Sequence, residues 1–105
     1  MTADAPPTAP ELSWNAALLE VRTQIADYER EGTSTPGKLK RAARLRASRL
    51  ALRDFAAAHA AAVARLKTAI NEIERADKDD NWRRVGELVQ STLTELDALI
   101  GTGRD

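Results

Sequence analysis

Residues 38–76 read KLKRAARLRASRLALRDFAAAHAAAVARLKTAINEIERA, a run of 39 residues that contains neither proline nor glycine. Five residues recur along this run at intervals of seven: Leu45, Leu52, His59, Leu66 and Ile73. A sevenfold apolar repeat is typical of a helix that packs lengthwise against another helix. We therefore predict one continuous helix here, about 58 Å long at 1.5 Å per residue.

A shorter amphipathic helix is predicted on each side of this long one. The first runs from Glu11 to Glu31, and its apolar residues follow a 4, 3, 4, 3 spacing: Trp14, Leu18, Val21, Ile25 and Tyr28. Residues 32–37, GTSTPG, form the predicted turn after it. The last helix is expected to begin near Trp82, after an N-cap at Asp79 or Asp80, and to end at Gly101.

These elements predict an all-α fold, an elongated three-helix up-down-up bundle of coiled-coil type with a long central helix. Residues 11–101 form the single domain, residues 1–10 a disordered tail with three prolines, and residues 102–105 a short tail. The two short helices overlap only near the middle of the long one, so its outer leucines are expected to remain partly uncovered. Because a long coiled-coil dimer competes with this bundle, both a monomer and a homodimer are open.

Composition excludes several classes of function. Sixteen Lys and Arg balance 16 Asp and Glu, whereas a nucleic-acid coat protein needs a positive excess. The absence of Cys removes disulfides and Cys-based zinc sites. No run of 18 uncharged apolar residues predicts a membrane span, and residues 1–10 do not resemble a signal peptide, so we expect a cytoplasmic protein.

Catalysis has little support in the sequence. His59 is the lone imidazole, and its place in the apolar repeat favours a core or rim residue. Asp77, Asp79 and Asp80 lack the glycine and the terminal glutamate of a calcium loop, which favours helix capping. No glycine-rich phosphate loop is present. We expect no enzyme activity, no metal and no cofactor.

Charge is the strongest local anomaly. Residues 38–53 contain seven basic residues and no acid, while the first predicted helix has a net charge of minus three. One interpretation is that the acidic helix lies antiparallel along the basic stretch and neutralises it. The other is a docking surface for an acidic partner, with these candidate contact residues: Lys38, Lys40, Arg41, Arg44 and Arg49. RNA is the weaker partner, because no aromatic residues interrupt the basic stretch to stack on bases.

The same region resembles the tubulin-binding cofactor A family of tubulin-folding chaperones. The match runs from Lys38 to Ser91 and rests on these residues: Lys40, Ala42, Leu45, Ser48, Arg49, Asp54, Ala61, Ala62, Leu66, Trp82 and Ser91. Arg53 stands where the family commonly has a proline, and the first helix is about a dozen residues shorter than is usual there.

This resemblance implies a non-enzymatic, cytoplasmic, cytoskeleton-associated three-helix bundle. Such a protein holds β-tubulin on the pathway to αβ-tubulin dimers, without nucleotide or metal. The alternative is a structural helical adaptor or coiled-coil subunit with an unknown protein partner.

Overall fold

The computed structural model describes residues 9–102, and the side chains of residues 13–101. This part of the chain forms four helices and no strand: α1 (Ala9–Arg30), α2 (Thr35–Arg53), α3 (Ala60–Lys78) and α4 (Trp82–Thr102). The all-α prediction is confirmed, but the three-helix plan is wrong, because the predicted central helix is two helices. The predicted tails fall mostly outside the described residues, and α1 begins inside the first of them, at Ala9.

Residues 54–59 break the predicted long helix although they contain no glycine or proline. Asp54 ends α2, and the Phe55 N–H donates to the Leu52 carbonyl at 3.1 Å, which tightens the last turn. The His59 N–H then donates to the Phe55 carbonyl at 2.9 Å, and α3 starts after His59. Alanines 56–58 are among the best helix formers, so local propensity does not cause this break.

Tertiary packing explains why the chain folds back. Leu45 and Leu52 of α2 are 2% and 0% exposed, and Leu66 and Ile73 of α3 are both 0% exposed. The expectation that this stripe stays partly uncovered is therefore wrong. Full burial of one such side chain stabilises the fold by about 1.5–3 kcal/mol, and several of them together outweigh the few helical hydrogen bonds lost in the turn.

The four helices form an antiparallel up-down-up-down bundle. Helix α1 packs against α2 and α4, and α3 packs against α4 and, much less closely, against α2. Leucine, isoleucine and valine from all four helices fill the centre, and the largest fully buried side chains are these: Tyr28, Leu18, Ile25, Leu52, Leu66, Ile70, Ile73, Leu96, Val21, Val85 and Val89.

The other two breaks lie where they were predicted, but the first is shorter than expected, because α2 begins at Thr35 and residues 35–37 of the predicted turn are helical. Gly32 has a positive φ of 72° after α1, and the Ser34 hydroxyl accepts from the Gly37 N–H at 3.3 Å at the start of α2. Before α4, however, the cap is neither of the predicted aspartates. Asn81 Oδ1 accepts from the Arg84 N–H at 3.2 Å, because Asp80 adopts the left-handed conformation that turns the chain. Gly101 does not end α4, which continues by one residue.

Candidate functional site

Arg41 belongs to the interior rather than to a docking surface. Its side chain is 6% exposed, and its Nε and Nη2 donate to the two Asp77 carboxylate oxygens at 2.7 and 3.2 Å. Its Nη1 donates to the Gly32 carbonyl, and its guanidinium lies 5.2 Å from the Trp82 ring centroid. These contacts connect all the elements that meet at this end of the bundle, so Arg41 has no free face for a partner.

Asp77 is the centre of this internal network, because the Tyr28 hydroxyl also donates to it. Burial favours the neutral acid, but the hydrogen bonds from Arg41 and Tyr28 outweigh burial and lower the pKa of Asp77. Burial and the same hydrogen bond raise the pKa of Tyr28. Asp77 therefore stays ionised, and Tyr28 stays protonated, at neutral pH.

Arg44 is neutralised by α1. Its Nη2 lies 2.9 Å from Glu31 Oε2 and its Nη1 lies 3.6 Å from Asp27 Oδ2. For this residue the structure bears out the interpretation that the acidic first helix runs along the basic stretch and neutralises it.

The remaining three predicted contact residues point to different places. Lys38 and Lys40 are exposed near the start of α2. Arg49 faces α3, where its Nη2 donates to Asn71 Oδ1 at 2.8 Å and to Glu74 Oε1 at 3.0 Å. The five predicted residues therefore do not form one continuous patch.

A groove of about 580 Å³ lies between α2 and α3, where the bundle is least closely packed. Its walls carry four cations and one carboxylate on these residues: Ala42, Arg46, Arg49, Leu50, Arg53, Lys67, Asn71 and Glu74. Arg46 and Lys67 make no ion pair with any residue between 13 and 101. We call this feature the α2–α3 groove.

Two of the lining residues, Leu50 and Arg53, are highly exposed. Leu50 is 55% exposed on its α2 wall, and is one of the most exposed large apolar side chains in the described part of the chain. Arg53 pairs with its neighbour Asp54 at 3.3 Å, but both side chains are at least 70% exposed, so this pair contributes little. The groove thus combines an exposed leucine with cations whose charge the fold leaves largely uncompensated.

A signal for this groove is present in the sequence, and the sevenfold core repeat obscured it. A second series on α2 follows the 4, 3, 4, 3 spacing and is exposed along its whole length: Leu39, Ala43, Arg46, Leu50 and Arg53. Helix α2 therefore has, beside its buried row, an exposed row in which Leu39, Ala43 and Leu50 are apolar and Arg46 and Arg53 are charged.

An aromatic cluster closes the far end of the bundle. The His59 ring stacks on Trp14 with centroids 4.1 Å apart, and Phe55 lies 5.3 Å from the same indole. His59 makes no capping hydrogen bond with its side chain. His59 is half-buried and stacks on Trp14, which agrees with the predicted core or rim position.

Other kinds of site are absent from the described residues. No group of His, Cys, Asp and Glu side chains in that part of the chain is arranged to hold a metal ion. None of the described helices has the length and hydropathy needed to cross a membrane. The α2–α3 groove is the feature that best fits a binding role.

No family model, curated protein or solved structure matches this chain. The resemblance to the cofactor A family therefore stays a prediction. The segment that carries it, residues 38–91, is divided among α2, the turn at 54–59, α3 and the first half of α4.

Proposed function

We propose that this chain is a non-enzymatic protein-binding module, a helical adaptor whose α2–α3 groove binds an acidic protein partner. The observation that carries the proposal is the placement of Arg46 and Lys67, two cations without an ion-pair partner among the described residues, around the half-exposed Leu50. Such a surface complements a partner that offers apolar side chains among carboxylates.

The two chemical components of the groove have separate tasks in this proposal. Burial of Leu50 and Ala42 supplies most of the affinity, since removing apolar area from water is favourable by about 25 cal/mol per Å². The cations speed encounter and select acidic partners, and their effect weakens as salt is added. The aliphatic stems of the arginines also cover apolar surface on the partner.

The cofactor A resemblance gives the module a specific candidate partner, β-tubulin before it enters αβ-tubulin dimers. This tubulin-chaperone function is supported by that resemblance alone. Arg49 is the matched basic residue that lines the groove, whereas Ser48 is buried and Lys40 is exposed outside the groove. Arg49 therefore belongs both to the residues that carry the cofactor A resemblance and to the lining of the groove.

The test is a binding comparison of three versions of the full chain against purified β-tubulin and against the acidic proteins of a lysate. The groove variant is Arg46→Glu with Lys67→Glu, and the matched control is Arg75→Glu with Arg83→Glu, two exposed cations outside the groove. We expect the wild type and the control to retain the partner at low salt, and the groove variant to lose it.

Each outcome separates the two levels of the proposal. Retention of β-tubulin that the groove variant abolishes supports the chaperone function. If another acidic protein binds the wild type and the control but not the groove variant, and β-tubulin binds none of them, the adaptor function is supported and β-tubulin is excluded as the partner. Equal retention by all three versions contradicts the groove as the binding site.

A further inference from the structure

We infer that the α2–α3 groove accepts one kind of partner segment, an acidic amphipathic α-helix that lies along the groove as a fifth helix. The inference rests on the proposed binding function and specifies the form of the partner. Its basis is the exposed row of α2 that lines the groove at Arg46, Leu50 and Arg53 and that Leu39 and Ala43 continue, outside the groove, at the same 4, 3 spacing. Side chains with this spacing meet a neighbouring helix along its length.

The α3 wall of the groove carries a row with the same spacing, formed by Lys67, Asn71 and Glu74. Lys67 and Asn71 are exposed and Glu74 is half-buried, and the exposed Ala60 and Ala64 continue the row along α3 beyond the groove. Two antiparallel helices with parallel rows of side chains form a trough of the kind that receives an amphipathic helix. The α2 row extends over the 15 residues from Leu39 to Arg53, a rise of about 21 Å, so the bound helix needs about four turns.

Charge determines the polar residues of the bound helix. Arg46 and Lys67 lie on opposite walls, while Arg49 is tied to Glu74 and so leaves no free carboxylate in the groove. A helix with a leucine row toward Leu50 and carboxylates on both flanks pairs with each wall at once. Uncompensated cations beside an apolar row thus favour Glu-flanked and Asp-flanked leucines.

The same observations disfavour two other occupants. A second copy that presents its own α2–α3 groove brings like charges together, which opposes association. Single-stranded RNA binds through aromatic side chains, yet Trp14 is stacked on His59 and Tyr28 lies against Trp82, away from the groove. An acidic helix satisfies both the apolar and the cationic part of the surface.

The experiment uses the full chain and three fluorescent synthetic peptides of equal composition, about 18 residues of Leu, Ala, Glu and two Pro. In the first peptide leucines follow the 4, 3, 4, 3 spacing with glutamates on both flanks, and the prolines stand at the N-terminus. The second has the same residues in an order without that spacing, and the third carries the prolines in its centre. We expect the first to bind at least about tenfold more tightly than the others, and to gain helicity on binding.

Variants locate the binding site. Leu50→Asp is expected to weaken binding of the first peptide about tenfold, whereas Leu19→Asp, at a similarly exposed leucine on α1, leaves the binding unchanged. Both positions are exposed, so circular dichroism is expected to show intact folds. Loss of binding in both variants, or in neither, contradicts the assignment to the groove.

The remaining outcomes distinguish this inference from the proposed function. Equal binding of all three peptides, abolished by Arg46→Glu with Lys67→Glu, overturns the helix and leaves the acidic-partner function standing. Failure of every peptide, together with salt-sensitive binding of a uridine oligonucleotide, overturns both. A dimer in sedimentation that Leu50→Asp dissociates overturns the helix in favour of a second copy.

Discussion

Arg41 Nε lies 2.7 Å from Asp77 Oδ2, and this pair joins the start of α2 to the end of α3 across 36 positions of sequence. The covalent turn at 54–59 joins the same two helices at their other ends. The α2–α3 groove is therefore fixed at both ends, by a peptide link and by an ion pair. Between these two points the long side chains of Arg46, Arg49 and Lys67 line the groove.

Removal of the carboxylate at position 77 is expected to destabilise the bundle strongly. Asp77→Ala leaves the buried Arg41 guanidinium without its counter-charge, and breaking such a pair costs about 2–4 kcal/mol, since Asp77 itself is partly exposed. Urea unfolding monitored by circular dichroism measures this change. The matched control is Asp97→Ala, which breaks the exposed, solvent-screened pair with Arg22 and is expected to change the free energy of unfolding far less. Equal losses in both variants contradict a special role for Asp77.

Stability is expected to fall in acid through the same residue. The folded protein lowers the pKa of Asp77 below its ordinary value of 3.8, so the ionised form is favoured in the folded state. The resulting stabilisation is present above about pH 4 and is lost as pH falls through the lowered pKa, where the folded carboxylate also becomes protonated. Urea titrations of the wild type and Asp77→Asn between neutral pH and acid measure this loss. The free-energy difference between them is expected to shrink as pH falls below 4, and a constant difference contradicts the linkage.

Substitution of Gly37 by alanine tests how closely the first turn of α2 packs against the end of α1, and Gly101, near the end of α4, provides the control. A Cβ at Gly37 meets the Glu31 carbonyl oxygen and comes within 3.0 Å of the Gly32 carbonyl oxygen, both backbone atoms that cannot rotate away. Gly37→Ala is therefore expected to cost about 1–3 kcal/mol, although alanine is the better helix former. At Gly101 nothing lies within 4 Å of an added Cβ, so Gly101→Ala is expected to be neutral or to stabilise by up to about 1 kcal/mol. A thermal melt of each variant decides between these signs.

The turn at 54–59 is directly measurable with spin labels at positions 38 and 78. Lys38 and Lys78 line the same 460 Å³ cavity at one end of the bundle, because α2 and α3 run antiparallel. Adjacent helix axes lie about 10 Å apart, so labels at these exposed lysines are expected within about 20 Å of each other. A continuous helix across residues 38–78 separates them by about 60 Å. Double electron–electron resonance distinguishes these two distances, and the longer one contradicts the four-helix fold.

The sequence alone determined that the chain is helical and where two of its breaks fall. The spacing of Trp14, Leu18 and Val21 selects a helix and one buried face, and the turn after Gly32 follows from local backbone preferences. The break at residues 54–59 could not be predicted from the sequence, because alanines 56–58 favour a helix in any local context. Only the bundle decides it, since a reversal at that point buries leucines of both halves that a straight rod leaves in water.

The same division applies to the candidate site. The excess of cations in residues 38–53 is a property of the sequence, and it predicts a basic surface. Which cations remain available depends on the acids that the fold brings to them: Glu31 to Arg44, Asp77 to Arg41, and Glu74 to Arg49. These partners are 13 to 36 positions away, so no local pattern identifies them. Tertiary structure alone leaves Arg46 and Lys67 unpaired beside Leu50, because the electrostatic compensation of a charge is set by distance in space and not along the chain.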